Sequence, residues 1–83
     1  SWNLTSTRQV STSTSVGTNE TSTTDITTRM GYDQYGNLTS QSASGSRKGT
    51  TLTSSGWLSY ERKITITYKI KNGVAVEDVY DEQ

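Results

Sequence analysis

Sizeable apolar side chains in this chain fall at even positions almost throughout. Trp2, Leu4, Val10, Val16, Ile26, Met30, Tyr32, Leu38, Leu52, Leu58, Tyr60, Ile64, Ile66, Tyr68, Ile70, Val74, Val76 and Tyr80 follow the rule. Tyr35, Trp57 and Val79 break it, together with the small Ala43 and Ala75. A strand turns successive side chains to opposite faces, so alternation of period two within a segment marks a half-buried strand. No window places apolar residues at i, i+3, i+4 and i+7, the stripe a helix needs. The chain is therefore expected to be all-β. The expected architecture is an antiparallel up-and-down meander of five or six strands, forming a one-faced sheet, a small barrel or a thin sandwich. Loop geometry resets parity at each turn, so agreement between segments carries less weight than alternation inside them.

Composition sets the scale of that fold. The 83 residues allow one small β domain, 1–83, and its start at Ser1 fits a processed or excised segment of a longer chain. Sixteen Thr and thirteen Ser give a hydroxyl bias of the kind found in disordered stalks. Pro is absent, however, and Thr alternates with apolar residues in Ile64-Thr65-Ile66-Thr67-Tyr68. The branched Thr side chain suits a pleated surface, so these runs are expected to be strands. With 28% hydrophobic residues and no Phe, there is little to fill a two-layer core. The N-terminal 25 residues are the least anchored.

The absence of His and Cys excludes imidazole and thiolate chemistry, disulfides and the ordinary zinc site. No triad can be assembled, and Ser and Thr are too abundant for one to stand out as a nucleophile. Asp33, Asp81 and Glu82 lie at expected turns or ends. No catalytic residue, cofactor or metal site is expected, and the chain is read as a non-enzyme.

Net charge is zero, but residues 47–71 hold Arg47, Lys48, Arg62, Lys63, Lys69 and Lys71 against Glu61 alone. Glu77, Asp78, Asp81 and Glu82 follow. Opposed blocks in a hairpin neutralise each other, so nucleic acid is not expected as a partner. No apolar run approaches the length of a membrane span.

The clearest element is a C-terminal hairpin, Leu58–Ile70 against Val74–Tyr80. Its turn is expected to be a three-residue Lys71-Asn72-Gly73 loop with a G1 bulge. That register sets Ile70 opposite Val74, Tyr68 opposite Val76 and Ile64 opposite Tyr80, with Arg62 facing Glu82 and Lys63 facing Asp81. A two-residue Asn72-Gly73 turn would instead mix apolar with charged residues. Upstream, strands are expected over 2–16, 21–32, 38–44 and 50–55, with turns at 17–20 and 33–37. Gly45-Ser46-Arg47-Lys48-Gly49 is expected to be a mobile loop, and Gly56 a break.

Tyr32-Asp33-Gln34-Tyr35-Gly36-Asn37-Leu38-Thr39 resembles the YD repeat of the RHS family, with its Tyr-Asp-x-x-Gly-Asn-Leu-Thr signature. Similar turns occur in small secreted lipoprotein-like β domains. In a hairpin, Tyr32 and Leu38 would pack inward, Asp33 would accept backbone N–H bonds, and Gly36 or Asn37 would supply positive φ. Tyr80-Asp81-Glu82-Gln83 resembles the opening of a second copy. The resemblance covers eight residues and implies an extracellular or envelope β module, with contact to carbohydrate as a further implication.

Tyr35 and Trp57, off parity, are the candidate ligand or partner contacts, since exposed aromatics offer platforms to sugar rings or proteins. Asn3, Asn19 and Asn37 head N-x-Thr sequons and are candidate glycosylation sites. The function expected is a secreted or cell-surface β module with a structural or binding role. It is expected to self-associate, or to pair with neighbouring β segments, through sheet faces or edges. Carbohydrate binding through the exposed aromatics is the alternative.

Overall fold

The computed structural model describes residues 3–83; Trp2, expected to anchor the first strand, lies outside them. Five strands follow in order: β1 Asn3–Ser15, β2 Glu20–Tyr32, β3 Leu38–Thr53, β4 Gly56–Lys71 and β5 Val74–Glu82. They form one antiparallel sheet in the order β1-β2-β3-β4-β5. The meander is as expected, and the sheet stays open rather than closing into a barrel. It measures 56 × 19 × 19 Å, and four interstrand spacings of about 4.8 Å account for one of the short dimensions.

Residues paired directly across strands share a face, which lets the two faces be followed through the ladder. Ile26 lies opposite Gly45, which lies opposite Ile64. Ala43 lies opposite Ile66, which lies opposite Tyr80. Ala43, Ile64 and Ile66 are buried, and Ile26 and Tyr68 pack against them. This is the core face, and Ile64 on it is fully covered at 0% exposure.

Parity does not survive the turns. Leu4 lies opposite Gly31 and Val10 opposite Asp25, which puts both on the outer face, away from Ile26 and Met30. Leu52 pairs with Trp57, also on the outer face, while odd-numbered Ala43 points inward. Val74 and Val76 lie beside Lys71 and Lys69 on the outer face. The single apolar face expected from the sequence is thus two: a small core face and an outer face with scattered exposed residues. The four-residue loop at 16–19 and a bulge between β2 and β3 reset the alternation.

Two segments differ from expectation in register. Lys71 pairs with Val74, so the hairpin closes on the two-residue Asn72-Gly73 turn, with φ of 52° and 75°. Positive φ at both central positions is the type I′ turn, which matches strand twist. Ile70 therefore faces Ala75 and Tyr68 faces Glu77; Ile64 faces Glu82, not Tyr80. Apolar still meets charge at those two pairs, but a bulge places Asp78 as an extra residue between the Tyr68–Glu77 and Thr67–Val79 pairs. It returns Tyr80 to the core face opposite Ile66.

The second is 45–49, which is strand, not loop: β3 runs unbroken through it, giving five strands and not six. Its glycines serve close approach. A Cβ on Gly45 would strike the Asp25 backbone and come within 2.8 Å of the Ile26 Cα. One on Gly49 would meet the Tyr60 ring at 2.6 Å. Glycine in a strand marks such approaches as well as breaks.

Candidate functional site

The Asp33–Asn37 turn is built by one carboxylate. Asp33 Oδ1 accepts from the Tyr35 and Asn37 backbone N–H groups at 2.8 and 2.9 Å, and Oδ2 accepts from Asn37 Nδ2 at 3.2 Å. Gly36 supplies the positive φ, at 82°. The Asn37 backbone N–H, and then its side-chain amide and Tyr35, hold the Asp33 carboxyl below its ordinary value. Tyr32 and Leu38 face each other across the turn's base. The Asp33 hydrogen bonds and the positive φ at Gly36 are as expected, while Tyr32 and Leu38 are half-buried and stand outside the Ala43–Ile64–Ile66 cluster.

Tyr35 sits at the tip of that turn, 80% exposed, while Trp57 is 65% exposed on the outer face beside Leu52. They lie at opposite ends of β3, so the two aromatics belong to separate surfaces. Of the sequon residues, Asn3 opens β1, Asn19 sits in the β1–β2 turn with φ of 50°, and Asn37 is tied to Asp33. All three are exposed.

Long side chains cross the core face from strand to strand. Glu82 of β5 reaches over β4 to accept from Arg47 Nη1 of β3 at 2.7 and 2.8 Å. Arg47 Nε donates onward to Thr24 Oγ1 of β2 at 3.1 Å. The Tyr80 hydroxyl donates to Glu82 at 2.6 Å, and Arg62 stands 3.9 Å from the same carboxylate. Hydrogen bonding from Tyr80, and then the Arg47 charge, lower the Glu82 pKa against the opposing effect of burial. In the other direction, the Tyr60 hydroxyl donates to Glu20 of β2 at 2.8 Å, across β3 and over Gly49. Glu20 and Glu82 flank an open cleft of roughly 320 Å³ with Arg47, Tyr60 and Arg62.

These partners were not visible in the sequence. Arg62 was expected directly opposite Glu82, but Ile64 holds that place; Arg62 reaches the carboxylate only at 3.9 Å, while Arg47, 35 residues away, makes the short contact. Lys63 exchanges backbone hydrogen bonds with Gln83, not Asp81. Within the basic block, Lys69 also meets Asp78 at 3.7 Å and Lys48 meets Glu61 at 4.0 Å. The cleft's polar groups bond to one another and so act as ties between strands. Among the described residues, no three acidic side chains converge on a metal-sized point.

Among the described residues, the backbone offers a further surface at three free stretches. The outer side of β1 is unpaired over thirteen residues, and that of β5 over nine. The third is on β4: β5 pairs with it only from Lys63 to Lys71, leaving Gly56–Arg62 without a neighbour on that side. Each carries a row of N–H and C=O groups that can form a ladder with another strand.

No protein-family model, curated protein or solved structure matches this chain.

Proposed function

We propose that this chain is a non-enzymatic β module of the extracellular space or cell surface, with a structural or binding role, that works by joining other β structure through its open edges. One observation carries the reading: β1 is exposed at all thirteen positions, on both faces, with its outer edge unpaired. Only Ala43, Ile64 and Ile66 make up the buried core among the described residues. A strand held by one neighbour and covered by nothing gains most from a second neighbour, which satisfies its backbone and shields its side chains together. The carboxylate-capped Asp33–Asn37 turn supports kinship with the YD repeat. Sedimentation from low to high micromolar concentration tests the reading. A rise in mass with concentration is expected; a compact monomer throughout would overturn it.

A second reading, carbohydrate binding, draws on Trp57, whose exposed ring on the outer face offers the apolar platform a sugar needs. Trp57→Ala would then remove retention on a glycan array, and salt would have little influence because no phosphate is bound.

A further inference from the structure

The two outer edges of the sheet are unequal in the features that keep edges apart. Natural sheets blunt an edge with charge, bulges and short strands. β5 has all three: nine residues, the Asp78 bulge, and Glu77, Asp78, Asp81 and Glu82 along it. The free stretch of β4 is shorter still and carries Glu61 and Arg62. β1 has none of them. Its thirteen pairs with β2 run without a register shift, and its single charge, Arg8, is already engaged. Arg8 Nε and Nη2 donate to the two oxygens of Asp25 at 2.9 and 2.6 Å. The edge of β1 is therefore long, straight and electrostatically quiet.

Resting on the self-association reading above, the geometry points to a second copy of this chain as the partner of β1, joined by a two-fold antiparallel β1–β1′ ladder. A β5 partner would bring four carboxylates and a bulge against a regular strand, and would propagate head to tail into a fibre. The homotypic ladder closes on itself as a dimer.

The two-fold axis also limits the register. It pairs each residue with one of the same parity, so core face meets core face and outer face meets outer face. Full overlap of Asn3–Ser15 centres the axis on Gln9. Thr5 then faces Ser13′, and Thr7 faces Ser11′, on the core face. Ser6 faces Thr12′, and Arg8 faces Val10′, on the outer face. All but Arg8–Val10′ are hydroxyl pairs of the kind already seen between Thr12 and Thr23, whose oxygens lie 3.2 Å apart. The ladder adds about a dozen backbone hydrogen bonds and yields a ten-stranded sheet.

This register makes residue 9 the one position in β1 that meets its own copy. Under mild oxidation, Gln9→Cys should give a disulfide-linked dimer, whereas Thr7→Cys alone should not and Thr7→Cys with Ser11→Cys should. Gln9→Lys places two ammonium groups together across the axis and should leave a folded monomer by sedimentation and circular dichroism. Val76→Lys, exposed on β5, should leave the dimer unchanged. Wild-type association that Gln9→Lys does not disturb, or that Val76→Lys abolishes, would overturn the β1 dimer while leaving self-association standing. Particles that grow without limit would do the same. A wild-type monomer at every concentration would overturn both.

Discussion

β1 and β4 belong to one sheet and have similar local propensity, yet they differ in every kind of support. β4 has strands on both sides along its second half and contributes Ile64 and Ile66 to the core. Glu82 passes over it to Arg47, roofing the same region with charge and hydrocarbon. β1 has one neighbour and no buried residue. In a single-layer sheet no second sheet covers the face, so cover must come from long side chains that meet over a strand from its two neighbours. That requires a neighbour on each side. β4 has them in β3 and β5, and β1, at the edge, has only β2, which is why apolar burial collects in one part of a continuous ladder.

The contrast is broken or sharpened by substitution, beginning with the largest effect. Ile64→Ala should cost about 2–5 kcal/mol in chemical denaturation, as removal of a fully buried side chain does, and a domain this small has little reserve. Thr65→Ala, its exposed neighbour, should cost far less. Equal losses at the two positions would erase the distinction between the faces.

Acid comes next. Glu82 has its pKa lowered in the fold by Tyr80 and Arg47. Its contribution is complete above its ordinary carboxylate value and is lost as pH falls through the lowered folded value. The stability of the wild type should therefore fall on acidification, and Glu82→Gln should flatten the part of that slope that Glu82 causes. An unchanged slope would mean that the tie across β4 contributes nothing.

The smallest effect is expected at Arg8. Its pair with Asp25 is short but lies on an uncovered face, where solvent and side-chain entropy offset most of the attraction. Arg8→Ala should leave the denaturation midpoint within measurement error. A large drop would show that β1 is held by more than its backbone ladder.

The alternation inside Leu58–Ile70 was enough to place Ile64 and Ile66 in the core, because strand pleat acts residue by residue. Which strands would share a face was not legible, since loop 16–19 and the bulges beside Tyr32 and Asp78 each reverse the count. Gly45 and Gly49 gave a misleading signal: they suit a loop and a close strand approach equally well, and only the Asp25 backbone and the Tyr60 ring distinguish the two. The Asp33 turn was readable because all its partners lie within four residues. The Arg47–Glu82 tie was not, because it joins side chains 35 residues apart on strands that do not pair. Tyr35 and Trp57 were picked out by their parity, but their separation along β3 depends on the length of a strand that was expected to be two.

The bulge at Asp78 also governs how the hairpin responds to changes in length. β5 carries one residue more than the track it follows on β4, because Glu77 and Val79 flank Asp78 yet face adjacent residues, Tyr68 and Thr67. That surplus is slack. Losing Asp78 would leave Tyr80 opposite Ile66 and Glu82 opposite Ile64, with the ladder merely straightened. β1 has no such reserve: its thirteen pairs are consecutive from Asn3 to Ser15, so a deletion within it inverts the faces of every residue on one side of the gap. Tolerance to loss of a residue thus resides in the strand that carries the charges, and intolerance in the strand that carries the hydroxyls.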